Sequence, residues 1–433
     1  MGMETAVLMA ASMGRTLVLP PEKKFYLLGK QHGGKQKQKH QFSFNDFFHM
    51  DSLSKEHKGL SIITMEEFLK REALTGRLTN KHGKVIFPES NRIDWNGIPL
   101  GPLWEYLSEV GDFPGWGPAD CLAAFPASSD QTDVLKLQAM MQEINDAHPP
   151  ISLKTYDNNP TDVDAPAIER MKENRANRKD LCIYDETMQN ARLVHFKNGY
   201  PHDASRLLVP YYAFLFFQDW KQDLWSKRFI RDHVRYVDEL MCAAARIVDA
   251  IHKRAKANNP VSNPKGLFNT MHVRRGDFQY KETRIEALEI YNTVKDTFDE
   301  SGTIYIATDE KSKSFFYDLK MHYDICFLED FLHLVPDVNT NYYGMLDQII
   351  ASKGELFFGT FYSTFSSYIH RLRGYHATKR KSDGHDTGGI GSYYFVPKQY
   401  KFAMKKYTPV KKPFWAREFP VSWRDIDKDV EWL

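Results

Sequence analysis

The sequence predicts an α/β protein with a doubly wound parallel sheet in its second half. Beyond residue 266, four short apolar runs of strand length alternate with stretches whose apolar residues have helical spacing. This is the pattern of parallel strands joined by crossover helices. The chain of 433 residues also exceeds the size of one ordinary domain. Its 42% hydrophobic and 26% charged residues are typical of globular proteins and exclude disordered and fibrous classes.

The first half of the chain predicts a less regular domain. It opens with a helix over residues 1–11 that stops at Gly14, and a strand over residues 15–19 follows. Residues from about 29 to 166 are rich in polar residues, Gly, Pro and Trp, so we expect an irregular insertion there. Because a compact α/β domain seldom opens on a helix that has no preceding strand, we expect the sequence to begin one βα unit late.

A long helix and a connection with two Asn-Pro pairs mark the expected domain boundary. Apolar residues keep helical spacing over 234–251, and the Asn-Pro pairs lie within 258–266. We therefore predict an N-terminal domain over 1–257, a C-terminal domain over 258–400 and a tail over 401–433 that packs back on the body. The C-terminal domain is predicted to contain strands at 267–273, 304–307, 325–328 and 356–358, with helices near 284–298, 310–321, 342–353 and 364–373.

Charge, hydropathy and cysteine content exclude several classes of protein. Fifty-eight Lys and Arg residues against 56 Asp and Glu residues give a net charge of +2, which argues against a nucleic-acid partner bound through a globally basic surface. No run of about 18 apolar residues is present, so we expect no membrane span. The four cysteines lie far apart without a C-x-x-C motif, which argues against a zinc cluster. We predict free or core thiols, with one or two disulfides as the alternative.

Polar residues gather where the first predicted strand of the second half ends. In parallel sheets of this type, ligands bind outside the carboxyl ends of the strands. Alternation along the strand places His272 and Arg274 on one face and Val273 on the other. Arg275 and Asp277 follow directly. Two guanidinium groups at one strand end favour an anionic ligand, and phosphate suits the planar fork of Arg. The alternative is a structural ion-paired cluster, for example Arg275 with Asp277.

Two further strand ends carry groups that could contact the same ligand. Asp309 follows the second strand and could accept a hydrogen bond from a sugar hydroxyl or cap the next helix. The fourth strand runs into a turn rich in hydroxyl groups, including Ser363 and Thr364, and then into a helix. Amide groups at a helix N-terminus bind anions, although Ser and Thr are also ordinary helix caps. Asp347, on the helix before this strand, is a candidate for recognising a guanine edge.

Three segments in this order resemble the fingerprint regions of the GDP-fucose O-fucosyltransferase family, which is related to the α1,6-fucosyltransferases. They are residues 272–277, 303–309 and 357–371. Residues 3–21 resemble the first helix and second strand of that family, and residues 207–217 resemble its mid-chain segment. The resemblance therefore extends over most of the chain.

The resemblance implies a GT-B-like fold, in which two Rossmann-like domains face each other across a cleft. It also implies an inverting transferase that needs no metal or cofactor and moves fucose from GDP-fucose, its donor substrate, to a protein Ser/Thr or a glycan hydroxyl. Arg274 matches the family's essential arginine, which stabilises the departing diphosphate. The other positions carried over from the family's donor contacts are His272, Asp277, Ser363, Thr364, Phe365 and, approximately, Asp347.

One departure from the family pattern keeps other functions open. The family's Gly-Gly-x-Asn-Asn loop, which approaches the donor, should lie just before Met3, where only two residues stand. The alternatives are a related transferase that uses another deoxyhexose donor, such as rhamnose, and an inactive homologue that binds nucleotide or glycan. The resemblance also implies a location in the lumen of the secretory pathway, although no signal peptide is visible in the sequence.

Overall fold

A computed structural model describes most of the chain, which divides into two compact units. Unit 1 spans Met1–Tyr236 and unit 2 spans Val237–Leu433. In the part of the chain that the structure describes, no helix is both long enough and apolar enough to cross a bilayer. The described residues are 2–24, 41–57, 59–111, 121–147, 166–175, 178–195, 214–276, 281–360, 363–382, 391–395 and 404–406.

Unit 1 contains two small parallel sheets and several helices. One sheet pairs β1 (Leu17–Leu19) with β2 (Ile62–Thr64), and the other has the order β4-β3-β5. The strands of the second sheet are β3 (Cys121–Phe125), β4 (Asp180–Ile183) and β5 (Leu215–Phe217). The helices are α1 (Gly2–Ser12), α2 (Met50–Glu56), α3 (Met65–Phe68), α4 (Gly101–Val110), α5 (Gln131–Ala147), α6 (Ala167–Asn174), α7 (Glu186–Asn190) and α8 (Trp220–His233).

The region expected to be an irregular insertion contains regular elements. Helix α4 buries Leu103, Leu107 and Val110 in one core together with Trp95, which is almost fully buried. In the described part of this region, Trp95 therefore belongs to a packed core, and Gly76, Gly83 and Gly97 adopt positive φ values in turns. The predicted opening helix and strand are confirmed as α1 and β1, with Gly14 at a φ of 62° where the helix stops.

Two cysteines of unit 1 form a disulfide. Cys121 and Cys182 lie on the neighbouring strands β3 and β4, with their Cα atoms 5.6 Å apart. The prediction of free thiols is therefore wrong for this pair and correct for Cys242 and Cys326. The two partners are 61 residues apart in sequence, and only the pairing of the strands brings them together.

Unit 2 contains the predicted doubly wound sheet. Its strand order is β11-β10-β9-β6-β7-β8, and every pairing is parallel except that of β10 with β11. The strands are β6 (Asn269–Val273), β7 (Thr303–Thr308), β8 (Asp324–Cys326), β9 (Phe357–Thr360), β10 (Ser392–Phe395) and β11 (Met404–Lys406). The helices are α9 (Asp238–Asn258), α10 (Ala287–Val294), α11 (Tyr317–Lys320), α12 (Tyr343–Ala351) and α13 (Thr364–Arg380).

Apolar residues on both faces of this sheet are buried, as expected for a parallel sheet. On one face Val273, Ile306 and Phe358 pack in a core with residues of α10 and α11. On the other face Phe357 packs with residues of α12 and α13. The prediction that Val273 and its neighbour His272 face opposite sides is confirmed, because His272 contacts α13.

Helix α9 belongs to unit 2, which places the boundary before this helix and not after residue 257 as predicted. Ile247 and Ile251 on one side of this helix are fully buried. Near its C-terminal end, Arg254 donates hydrogen bonds of 2.5 and 2.9 Å to the two carboxylate oxygens of Asp324, the first residue of β8. The helical spacing of this segment was visible in the sequence, but the unit against which it packs was not.

The described part of the predicted tail adds one strand to the sheet. Strand β11 pairs antiparallel with β10, with Tyr393 opposite Lys406 and Phe395 opposite Met404. The rest of residues 401–433 lies outside the described residues.

Candidate active site

The carboxyl ends of three neighbouring strands meet in unit 2, with β6 between β9 and β7. Two threonine hydroxyls join them. Thr360 Oγ1 donates to the carbonyl of His272 at 2.8 Å and accepts from the backbone N–H of Arg274 at 3.0 Å. Thr308 Oγ1 donates to the carbonyl of Val273 at 2.7 Å. These bonds fix the backbone at the point where β6 ends and its side chains become available to a ligand.

Arg274 is held by the carboxylate that follows β7. Its Nη1 lies 3.0 Å from Asp309 Oδ2, and the two side chains are 26% and 28% exposed. The other oxygen, Asp309 Oδ1, accepts the backbone N–H of Arg275 at 2.7 Å. A Cβ placed on Gly276 would overlap Asp309 Oδ2, so only glycine leaves room for this carboxylate. Asp309 therefore orients Arg274 and does not cap the next helix, whose N-cap is Ser312, and its contact with a sugar hydroxyl stays a prediction.

Arg275 is committed to structural contacts. Its Nε lies 3.2 Å from Glu310 Oε2, and its Nη1 donates to the carbonyl of Ile285 at 2.8 Å. The guanidinium also stacks on the Phe315 ring, 3.9 Å from the centroid. The alternative of an ion-paired structural cluster therefore applies to Arg275, with Glu310 as a partner. Asp277 lies outside the described residues.

His272 is buried and links β6 to helix α13. Its Nδ1 lies 2.7 Å from Ser366 Oγ, and its ring centroid lies 4.6 Å from that of Phe365. Burial lowers the pKa of His272 to about 3, and the charge of Arg274 acts in the same direction against that of Asp309. The imidazole is therefore neutral near pH 7. A Cβ placed on Gly359 would lie 2.8 Å from both Cβ and Oγ of Ser366, so this glycine makes room for the His272 partner.

The predicted hydroxyl-rich turn lies beside Arg274 in the same sheet. Ser363 is buried, and its carbonyl accepts from Ser367 N–H at 3.0 Å as helix α13 begins. Thr364 is exposed and Phe365 is half-buried. The first N–H groups of a helix have no partner within it, so they can bind an anion. The start of α13 and Arg274 therefore follow the ends of the neighbouring strands β9 and β6.

Asp347 on α12 lies on the same face of the sheet as His272 and contacts a buried tyrosine. The Tyr305 hydroxyl donates to Asp347 Oδ1 at 2.5 Å. Burial raises the pKa of Asp347 to about 7, and the charge of Glu329 acts in the same direction, whereas the Tyr305 hydrogen bond and Lys313 lower it. The pKa of Tyr305 is raised well above its ordinary value, first by burial and then by the carboxylate.

The structure brings together His272, Arg274 and Asp309 and places the start of α13 beside them. The Arg275 side chain instead contacts Glu310 and Phe315. The sequence reasoning missed Thr360, Ser366 and Tyr305. Thr360 ends a predicted strand and Ser366 lies in the recognised Ser/Thr run, but the strand order that joins both to β6 could not be read from sequence. Tyr305 carried one usable signal, because a tyrosine in the middle of a buried strand needs a hydrogen-bond partner.

These groups suit an anionic ligand that carries a hydrogen-bonding base. Arg274 supplies a guanidinium, His272 a neutral imidazole and helix α13 its N-terminal amides. Asp347 offers carboxylate oxygens that can accept from N–H groups of a base. This combination is chemically suited to a guanine nucleotide with its diphosphate near Arg274.

Comparison with solved structures finds fucosyltransferases. POFUT1 in complex with GDP-fucose aligns over 85% of this chain and 88% of its own, with 14% identity and a TM-score of 0.34. The apo-form of POFUT1 aligns over 85% of this chain and 89% of its own, with 14% identity and a TM-score of 0.34. Fucosyltransferase NodZ from Bradyrhizobium aligns over 40% of this chain and 54% of its own, about half its length, with 11% identity and a TM-score of 0.24. Because all three TM-scores lie below 0.5, these similarities are not used to assign a family.

The family assignment comes from a profile of the whole family. A comparison with curated proteins finds no match. The family model described as GDP-fucose protein O-fucosyltransferase matches residues 1–376. This range contains unit 1, strands β6 to β9 of unit 2 and every candidate residue at the strand ends. The chain therefore belongs to the GDP-fucose protein O-fucosyltransferase family, a family of glycosyltransferases.

Proposed function

We propose that this protein transfers fucose from GDP-fucose to a hydroxyl group of a protein or glycan acceptor, with inversion and without a catalytic metal. The observation that carries the proposal is the Arg274 guanidinium, which is fixed by Asp309 at a strand end and still partly exposed. The GT-B arrangement of two Rossmann-like domains is part of the same proposal. Family membership supports the donor class.

In this proposal Arg274 stabilises the leaving group. Cleavage of the bond between fucose and the β-phosphate moves negative charge onto the phosphate oxygen while the sugar gains positive character. A guanidinium that contacts this oxygen interacts more strongly with the transition state than with the ground state, and this difference accelerates the reaction. Because Asp309 already holds the guanidinium in position, little reorganisation is needed when the donor binds.

His272 and the start of α13 would bind the diphosphate beside Arg274. A neutral imidazole has one N–H, and it can donate to a phosphate from Nε2 only if Nδ1 accepts a hydrogen bond. The Ser366 hydroxyl, 2.7 Å from Nδ1, can supply that bond and so fix the required tautomer. Thr364 and the first amides of α13 offer further donors. Asp347 would accept from the N–H groups of guanine.

A donor panel tests the proposal. The full chain is incubated with GDP-fucose and other nucleotide sugars, including a rhamnose donor; water takes the place of the acceptor hydroxyl, and release of GDP or UDP together with the free sugar is measured by mass spectrometry. We expect GDP release from GDP-fucose, and a fall of about 10²- to 10³-fold in turnover for Arg274→Ala, as for loss of one donor to a developing oxyanion. The turnover of Arg274→Lys should lie between those of the parent chain and of Arg274→Ala, because Lys keeps the charge but loses the planar fork.

A control variant and three alternative outcomes make this test decisive. Arg246→Ala removes an exposed arginine of α9 and should leave turnover unchanged. Release of the nucleoside diphosphate from a different deoxyhexose donor, and not from GDP-fucose, would show that the protein transfers that sugar instead of fucose. Binding of GDP without release from any donor would favour an inactive binding homologue. Full turnover in a folded Arg274→Ala variant would contradict the role of Arg274.

We also propose that the protein works in the lumen of the secretory pathway. The disulfide between Cys121 and Cys182 supports this location, because disulfides persist in oxidising compartments and are rare in reducing ones. Mass spectrometry of the protein isolated from its native cells under non-reducing conditions tests this proposal. Recovery of both cysteines as free thiols would contradict it.

A further inference from the structure

Two histidines and a glutamate of unit 1 converge at the ends of two helices. Glu56 is the last residue of α2, His57 caps that helix, and His233 is the last residue of α8. One potential ligand atom from each side chain lies within 4.8 Å of the others. The two imidazole centroids are 3.7 Å apart, and His233 Nδ1 lies 4.0 Å from Glu56 Oε2. The donor-site residues described above belong to unit 2, whereas this cluster belongs to unit 1.

One nitrogen of this cluster points to a missing ligand. Nε2 of His57 is buried and has no hydrogen-bond partner among the described residues. Such a group is costly unless something binds to it. Phe229 packs edge-on against His57 at 5.0 Å, and Trp225 stacks on Phe229 at 5.1 Å, so the aromatic side of the cluster offers no hydrogen-bond acceptor. The remaining approach to this nitrogen is from the side of His233 and Glu56.

We propose that Glu56, His57 and His233 bind a divalent cation of the zinc type, which links α2 to α8. Two imidazoles and one carboxylate form a ligand set that zinc accepts, with water in the fourth position. Zinc–nitrogen and zinc–oxygen bonds of about 2 Å place tetrahedral ligand atoms roughly 3.4 Å apart. The ligand atoms lie within 4.8 Å of one another and His233 Nδ1 lies 4.0 Å from Glu56 Oε2, so metal binding requires spacings to shorten by up to about 1.4 Å through side-chain rotation, for which the half-exposed Glu56 has room.

The surrounding backbone favours a cation at this position. The C-terminal end of a helix carries a partial negative charge from its unsatisfied carbonyl groups. Both α2 and α8 end at the cluster, so two such ends face the same position. Because residues 56 and 233 are far apart in sequence, a bound ion would connect segments that only the fold brings together, and it would stabilise unit 1.

The test is a zinc titration of the full chain, made without a histidine tag and freed of metal with a chelator. Calorimetry should show one equivalent bound tightly, and Co²⁺ should give the absorption bands of a tetrahedral site. Loss of a ligand should exceed the 10- to 100-fold effect known for residues outside the ligand shell, so His57→Ala and His233→Ala should weaken affinity by at least about 100-fold. Glu56→Gln should weaken it by about tenfold or more.

Controls separate loss of the site from loss of the fold. Glu56 is half exposed, so Glu56→Gln should fold like the parent chain and still bind zinc more weakly. His82→Ala removes an exposed histidine of the same unit and should bind zinc with unchanged affinity. Zinc should raise the Tm of the parent chain and of His82→Ala, but not that of His233→Ala. Absence of stoichiometric binding, or an affinity in the three cluster variants equal to that of the parent chain, would overturn the proposal.

Discussion

Replacement of Tyr305 by Phe tests whether Asp347 recognises the nucleotide base as a carboxylate. Burial raises the pKa of Asp347 to about 7, and the Tyr305 hydroxyl, 2.5 Å from Oδ1, opposes that rise by hydrogen bonding to the ionised form. If the carboxylate accepts from guanine, GDP affinity is highest above pH 7 and falls about tenfold per pH unit well below it. The side chain of Tyr305 is fully buried, and Phe keeps its shape.

The expected shift follows from the strength of the hydrogen bond. A bond to a charged group contributes about 1.5 kcal/mol or more, and 1.36 kcal/mol corresponds to one pKa unit. Tyr305→Phe should therefore raise the midpoint of the GDP-binding profile from about pH 7 to about pH 8. At pH 7 the ionised fraction of Asp347 would fall from about one half to about one tenth, so GDP should bind about fivefold more weakly.

Calorimetric titrations of GDP between pH 5.5 and 9 would measure this shift. The terminal phosphate of GDP itself titrates near pH 6, so Asp347→Asn serves to separate the two. That variant should bind GDP weakly at every pH and keep only the phosphate contribution. Tyr323→Phe, another buried tyrosine of unit 2, should leave the midpoint unchanged. A midpoint in Tyr305→Phe equal to that of the parent chain, or shifted to lower pH, would refute the reasoning.

Two further variants test the orientation of the arginine and the disulfide. Asp309→Asn keeps the acceptor for the backbone of Arg275 but removes the ion pair with Arg274; turnover should fall about 10- to 100-fold through misplacement of the guanidinium. Stability should fall by no more than about 1 kcal/mol because the pair is partly exposed, and unchanged turnover beside an intact thermal melt would contradict this role. Replacing Cys121 and Cys182 together by Ala should lower the free energy of unfolding by about 4 kcal/mol for a loop of 61 residues. Urea unfolding measures that loss, and a change below about 1 kcal/mol would show that the disulfide contributes little.

The strands and helices of unit 2 could be predicted because their patterns are local. Apolar runs of strand length gave β6, β7, β8 and β9, and alternation along β6 placed His272 and Val273 on opposite faces. The position of Arg274 at a strand end followed from the same pattern. These predictions needed only the chain segment itself, together with the rule that ligands bind at the carboxyl ends of parallel strands.

The remaining features depend on contacts between distant segments. Asp309 and Glu310 are adjacent, yet one holds Arg274 and the other holds Arg275, and only the packing of β7 beside β6 separates these roles. Likewise, the bond between Ser366 and His272 depends on how α13 packs on the sheet. The disulfide has the same origin, since no spacing rule predicts partners on neighbouring strands.

The glycine after the two arginines makes it possible to disturb the proposed site without replacing any of its polar side chains. A methyl group at Gly276 would overlap the Asp309 oxygen that contacts Arg274, so Gly276→Ala should displace that carboxylate while every reactive side chain remains present. Such a variant should be slowed about 10- to 100-fold, as expected for Asp309→Asn, and could prolong contact with the acceptor in capture experiments, where mutation of the arginine would also change the charge presented to the donor. Normal turnover by this variant would mean that the Asp309 carboxylate can orient Arg274 equally well from a second position.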